Sequence, residues 1–318
     1  MKVYISTDPF GSISTEPINQ LKYNGFEYRC NNFGRKITSE ELANDIKDAD
    51  ILIAGTESIT QDVLNKAPNL KLISRVGIGL DGIDFDLCRK RGVRVAYTPD
   101  APTIAVAELS VGLILDCCRK VTETNNNLKT QGVWRRHMGT LLNNRTVGLL
   151  GLGRIGKTLV HMLAGFNVNF IAHDHNADIA FSKLYNITLA PKVDVLKYSD
   201  IVSMHLPLTE STRDYITYDD LSLMQRHAIL INTARGGIVN EEALYQALQS
   251  QKVAAAAVDV FYDEPYSGPL KELDNCILTC HMGASTTSSR VDMEIQAVQE
   301  AIRFSKAGKL KNEVFENV

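Results

Sequence analysis

Short β-branched and leucine-rich runs alternate with helically periodic segments along the whole chain, the pattern of parallel sheets joined by crossover helices. A first set of strands is predicted at Lys2–Ile5, Phe26–Cys30, Ile51–Ala54, Leu72–Arg75 and Val93–Ala96. Between them, Thr38–Ile46 reads as a helix, with Thr38 or Ser39 as cap and Leu42 and Ile46 on one face. Pro99 and Pro102 mark a break, and Thr103 to about Lys129 is predicted as one long helix, rich in alanine and leucine at first. A second set of strands follows at Thr146–Leu150, Val168–His173, Ile187–Leu189, Ile201–Met204, Ala228–Asn232 and Ala255–Val260, then Ile277–Thr279. The first six of these, with intervening helices, make the count of a complete dinucleotide fold. The last helix, about Thr287 to Lys306, puts Val291, Ile295, Val298 and Ile302 on one stripe and ends at Gly308.

The length of 318 residues exceeds one ordinary core and suits two domains. A net charge of -3 provides no basic field, which argues against nucleic acid or an anionic membrane surface as partner. No apolar run reaches about 18 residues, and Met1–Ser6 turns polar too soon for a signal peptide, so a cytoplasmic protein is expected. The six cysteines form no C-x-x-C pair and read as thiols in a reducing compartment. Cys276, Cys280 and His281 would need a fourth ligand to hold zinc, so no metal is expected.

Gly151-Leu152-Gly153-Arg154-Ile155-Gly156 is a G-x-G-x-x-G sequence between a predicted strand and a predicted helix. In that context Gly151 makes a tight turn, Gly153 admits a pyrophosphate to the backbone, and Gly156 lets helix and strand pack closely. The amides of the helix start, at Arg154 and Ile155, favour phosphate charge. Asp174 closes the next strand, where a carboxylate can accept from a ribose diol. The competing reading is a structural turn in a non-binding domain.

Further segments carry a family resemblance: Asn232-Thr233-Ala234-Arg235-Gly236-Gly237, Asp259-Val260-Phe261 through Glu264-Pro265, and His281-Met282-Gly283-Ala284-Ser285-Thr286. With Gly151–Gly156 and His205-Leu206-Pro207, they closely resemble the D-isomer-specific 2-hydroxyacid dehydrogenases over essentially the whole chain. The resemblance implies an α/β protein of two doubly wound parallel-sheet domains. Residues 1–98 and 286–318 would form a flavodoxin-like substrate domain, and 99–285 an inserted Rossmann-type NAD-binding domain. It further implies a cleft closing over substrate, and a homodimer built on the coenzyme domains. The expected reaction transfers a hydride between NAD(H) and a small D-2-hydroxy acid/2-keto acid pair.

Arg235, Glu264 and His281 are the expected catalytic residues. His281 can donate the proton near neutral pH, Glu264 would favour the protonated ring and fix its tautomer, and Arg235 offers a planar fork to the substrate. By the same resemblance Val76 and Gly77 belong to a loop whose amides hold the substrate carboxylate. Thr103, Thr233, Ala234, Asp259 and Gly283 would line the nicotinamide, and His205, Leu206, Pro207 and Thr212 the adenine side. Any of these could instead be ordinary strand-end packing.

The sequence departs from the family pattern in places. Cys280 stands where proline commonly precedes the histidine, and Asp100 and Pro102 where glycine and asparagine are usual. Trp134–Thr140 resembles 3-phosphoglycerate dehydrogenases, and one of Arg135 and Arg136 could hold a distal anionic group, yet Ala54–Glu57 has no cation where those enzymes carry one. No regulatory domain or long disordered tail is expected. The alternatives to a phosphoglycerate dehydrogenase-like enzyme are a glyoxylate/hydroxypyruvate reductase and a non-catalytic NADH-sensing scaffold.

Overall fold

A computed structural model gives the architecture, and the structure describes residues 1–314. Residues 315–318 of the expected substrate domain lie outside the described residues. The chain divides into two compact units, Met1–Pro102 with Ser285–Val318, and Thr103–Ala284.

The first unit begins β1(Lys2–Ile5), α1(Glu16–Tyr23), β2(Glu27–Cys30), α2(Ser39–Asp45), β3(Ile51–Ala54), α3(Gln61–Lys66), β4(Leu72–Arg75), α4(Phe85–Lys90) and β5(Arg94–Ala96). Its five parallel strands lie in the order β2-β1-β3-β4-β5, the flavodoxin-like arrangement. Thr38 caps α2 through a complete capping box with Glu41. The segment after Gly308 returns to the sheet edge: Glu313 bridges antiparallel to Ala96, Val314 N donates to Val95 O at 2.9 Å, and the Arg94 guanidinium grips the Glu313 carboxylate.

The second unit begins with α5(Thr103–Arg119) and α6(Val121–Gln131). The single long helix expected there is therefore two. Lys120 takes a left-handed conformation (φ 55°), and the Asp116 carboxylate accepts from the Thr122 amide at 2.8 Å and from its hydroxyl. That side chain serves as a new helix start, and α6 buries none of its residues. The unit continues β6(Thr146–Leu150), α7(Arg154–Leu163), β7(Asn169–His173), α8(Ile179–Leu184), β8(Thr188–Leu189), α9(Lys192–Tyr198), β9(Ile201–Met204), α10(Tyr218–Leu223), β10(Ile229–Asn232), α11(Glu241–Gln249), β11(Ala255–Val258) and β12(Cys276–Leu278). All strands pair in parallel in the order β12-β11-β10-β9-β6-β7-β8, a Rossmann order with one added strand.

Alternate residues of these strands feed two cores. Leu150, Val202, Leu230 and Ala256 join one, while Leu149, Ile201, Ile229 and Ala257 join the other. A sheet buried on both faces produces nearly continuous apolar strands, which is why they stand out in the sequence.

The closing helix α12(Thr287–Ala307) packs on α1, β3 and β4 of the first unit. Its buried line differs from the expected stripe: Met293, Ala297, Val298 and Ala301 are buried, but Val291, Ile295 and Ile302 only half-buried. The small side chains Ala297 and Ala301 let the helix approach the sheet, and the Ser74 hydroxyl donates to Ala297 O at 2.8 Å. Glu294 and Glu300 are buried on the same face, held by Arg290 at 2.7 Å and Arg303 at 2.9 Å.

Candidate active site

The glycine turn follows β6 at the centre of the second unit's sheet, where the strand order reverses. Gly151 has φ 99°, and a Cβ there would lie 2.5 Å from His205 O; one on Gly156 would lie 2.5 Å from Gly151 O. Gly153, by contrast, faces open space. It caps α7 with no side-chain bond, and a helix start of this kind gathers first-turn amides whose dipole favours an anion. These residues fit a dinucleotide pyrophosphate.

Asp174, half-buried after β7, accepts from Leu152 N at 2.6 Å and from Asn176 N at 2.7 Å. Its carboxylate is thereby pinned beside the glycine turn. On the other side, after β9, His205 Nε2 lies 2.9 Å from Ser203 Oγ, and Leu206 reaches the same turn. Pro207 is exposed, and its carbonyl accepts from the Thr212 hydroxyl at 2.6 Å. Thr212 also accepts from Thr209 N at 2.7 Å, so its hydroxyl closes its own turn.

The His205 residue keeps some surface, yet its ring is enclosed by packed protein, and burial pulls its pKa from 6.5 down to about 4. The native ring stays neutral where the unfolded chain takes up a proton. Stability should therefore fall as pH drops from about 6.5 towards 4. His205→Gln is expected to flatten that part of a melting-temperature profile; an unchanged slope would assign it to another group.

The three expected catalytic residues occupy loops at the carboxyl ends of three neighbouring strands, β10, β11 and β12. After β10, buried Asn232 forms an Asx turn: its Oδ1 accepts from Ala234 N at 3.1 Å and its Nδ2 donates to Arg235 O at 3.0 Å. Thr233 shares a hydrogen bond of 2.8 Å with Ser110 of α5. Arg235 donates through one guanidinium nitrogen to Ala234 O at 2.6 Å. Gly236 presses so closely on the next loop that a Cβ would lie 1.9 Å from Phe261 O. That loop carries Glu264, whose Oε1 accepts from Phe261 N at 3.1 Å.

After β12, His281 lies with φ 50°, a left-handed conformation uncommon outside glycine. Its Nδ1 is 2.8 Å from Glu264 Oε2 and 3.0 Å from Oε1. The side chains are 45% and 37% exposed, so the pair is reachable by a ligand. Asp259 is almost fully buried, and its carboxylate accepts from Thr279 Oγ1, Met282 N and Gly283 N. Gly283 packs between this carboxylate and Val106, and Thr103 is buried at the start of α5.

In the first unit, two amides of the glycine loop have partners within the unit. Val76 N donates to Ala54 O at 2.9 Å, extending the sheet, and Gly77 N donates to Thr98 Oγ1 at 2.7 Å. Both bonds shape the loop, which Gly77 turns at φ 136°. Arg75 braces the same loop, donating to Gly79 O at 2.9 Å and Val76 O at 2.7 Å. Glu57 is buried and turned inward, accepting from Ser6 and from Gly55 N.

The structure thus joins His281 to Glu264 and seats Arg235 on the adjoining loop. Sequence reasoning missed the supports Asn232, Thr279 and Arg75. Asn232 alone left a signal, a short amide side chain at a strand end two residues before a loop amide.

Residues 111–283 match the family described as "D-isomer specific 2-hydroxyacid dehydrogenase, NAD binding domain". The chain is 36% identical over 283 residues to a hydroxypyruvate reductase of Thermotoga maritima, covering 84% of this chain and 90% of that one. It is 41% identical over 260 residues to a D-3-phosphoglycerate dehydrogenase of Methanocaldococcus jannaschii, covering 80% of this chain but only 49% of that longer protein. Among solved structures, the TT0316 protein from Thermus thermophilus superposes with a TM-score of 0.90 at 29% identity, covering 99% and 100% of the two chains. The chain belongs to the D-isomer specific 2-hydroxyacid dehydrogenase family.

Proposed function

We propose that this protein is an NAD(H)-linked dehydrogenase that interconverts a small D-2-hydroxy acid and its 2-keto acid. The observation that carries the reading is the Glu264–His281 contact of 2.8 Å. Glu264 engages Nδ1, so Nε2 is the ring nitrogen left to exchange a proton with the substrate oxygen. In the reducing direction Nε2 delivers its proton to the carbonyl oxygen of C2; in the oxidising direction it takes the proton back from the hydroxyl. Arg235 balances the substrate carboxylate and polarises the adjacent carbonyl. Bound NAD(H) would supply or take up the hydride, held by the amides after Gly153 and by Asp174.

Asp174 beside the glycine turn favours a ribose diol and repels a 2′-phosphate. The test is to follow NADH oxidation against a panel of 2-keto acids at pH 7.5 and to repeat it with NADPH. Turnover is expected with hydroxypyruvate or glyoxylate, with kcat/KM at least about tenfold higher for NADH. Comparable values for the two coenzymes would remove Asp174 from the discrimination, and silence across the panel with tight NADH binding would favour a sensing scaffold.

A homodimer is part of the same reading. The segment after α5 exposes Trp134 (81%), Met138 (92%) and Leu141 (71%), with Leu128 on α6 also exposed. Apolar side chains at that density fit a second copy of the chain. A cytoplasmic setting suits the six cysteines, all free thiols, with burial pushing Cys276 up to about 12.

A further inference from the structure

We infer that Thr279 and Asp259 together form a positioning device for His281; the inference rests on His281 being the acid–base residue. Asp259 directly follows β11 and Thr279 directly follows β12, adjacent strands of the sheet. The Thr279 hydroxyl donates to Asp259 Oδ1 at 2.6 Å, Met282 N donates to the same oxygen at 2.8 Å, and Gly283 N donates to Oδ2 at 2.8 Å. His281 N donates to the main-chain oxygen of Asp259 at 2.8 Å. The loop from 279 to 283 is therefore wrapped around one buried carboxylate, with successive amides converging on it as in an anion-binding nest.

This wrapping explains how His281 keeps φ 50°. A left-handed conformation is unfavourable for a residue with a Cβ and persists only where surrounding bonds over-determine it. Four hydrogen bonds to Asp259 do so here, and none of them involves the imidazole itself. Glu264 then sets the rotation of the ring, while Asp259 sets the position of the backbone that bears it. Thr279 matters because it is the only side chain among these donors. Its hydroxyl fixes the carboxylate plane so that the remaining lone pairs meet the Met282 and Gly283 amides.

The device acts on chemistry through His281, which separates it from a general stabiliser. Thr279→Val keeps the β-branched shape that a strand end favours and removes only the donor. In the wild-type background it is expected to lower kcat about tenfold, the loss of one well-formed hydrogen bond. The dissociation constant for NADH, read by fluorescence quenching, should stay within about twofold, and Thr279→Ser should restore kcat. In the His281→Ala background, where turnover is already reduced, Thr279→Val should cause no further loss of kcat.

Equal losses in both backgrounds would overturn the inference, since the threonine would then act independently of the histidine. So would a rise in the NADH dissociation constant matching the loss of kcat, which would place the pair on the coenzyme. If His281→Ala itself turned over at the wild-type rate, the acid–base reading would fail and this inference with it. A wild-type rate in Thr279→Val beside an impaired His281→Ala would refute the positioning role alone.

Discussion

Replacing His281 with alanine is expected to lower turnover by roughly 10²–10⁴-fold while leaving NADH binding nearly unchanged. The side chain is 45% exposed, so its removal leaves no cavity in the core. The left-handed backbone is the one structural risk, and His281→Asn controls for it, because asparagine tolerates that conformation better than alanine. Both variants should be similarly impaired. Glu264→Gln should cost less and act differently. The amide can still accept from Phe261 N, so the loop survives, but the charge beside Nδ1 is lost. Without it Nδ1 faces a neutral amide, the ring is held less firmly in its tautomer, and kcat should fall about tenfold with KM little changed. If Glu264→Gln turns over at the wild-type rate while His281→Ala is inactive, the pairing has no role in proton transfer.

The second large effect is expected at Arg235. One of its guanidinium nitrogens is tied to Ala234 O at 2.6 Å, which orients the planar group within its loop. Lysine carries a single nitrogen and cannot both hold that carbonyl and present a two-pronged donor face to a carboxylate. Arg235→Lys should raise KM for the keto acid at least about tenfold and also lower kcat, because the adjacent carbonyl loses its polarising partner. Coenzyme affinity should be unaffected. An unchanged KM would place Arg235 away from the substrate.

Both sheets were legible in the sequence because their strands are buried on two faces and read as apolar runs, such as Ile51–Ala54 and Ile201–Met204. The division of α5 from α6 was not. It depends on the Asp116 side chain turning back to cap Thr122, a contact with no periodicity to betray it. The face of α12 was displaced for a related reason. Glu294 and Glu300 count as polar in any pattern, yet each is buried beside an arginine one turn away. In the site, the strand ends that carry Arg235, Glu264 and His281 were legible from the pattern of strands. The hydrogen bonds around Val76 and Gly77 were not, because a motif cannot show which amide the Thr98 hydroxyl or the Ala54 carbonyl takes.

The pairing of Glu313 and Val314 with β5 has a bearing on solubility. An outer strand offers a ladder of open amides and carbonyls, a template on which another chain can add and begin a fibril. At β5 the chain's own last described residues fill part of that ladder, in the antiparallel sense, and Arg94 locks them there. The opposite outer strand, β2, is guarded by other means: Glu27 is exposed, and Arg29 is drawn to Asp48. One margin of the sheet is blocked by backbone and the other by charge, so neither presents a long bare edge to a neighbouring molecule.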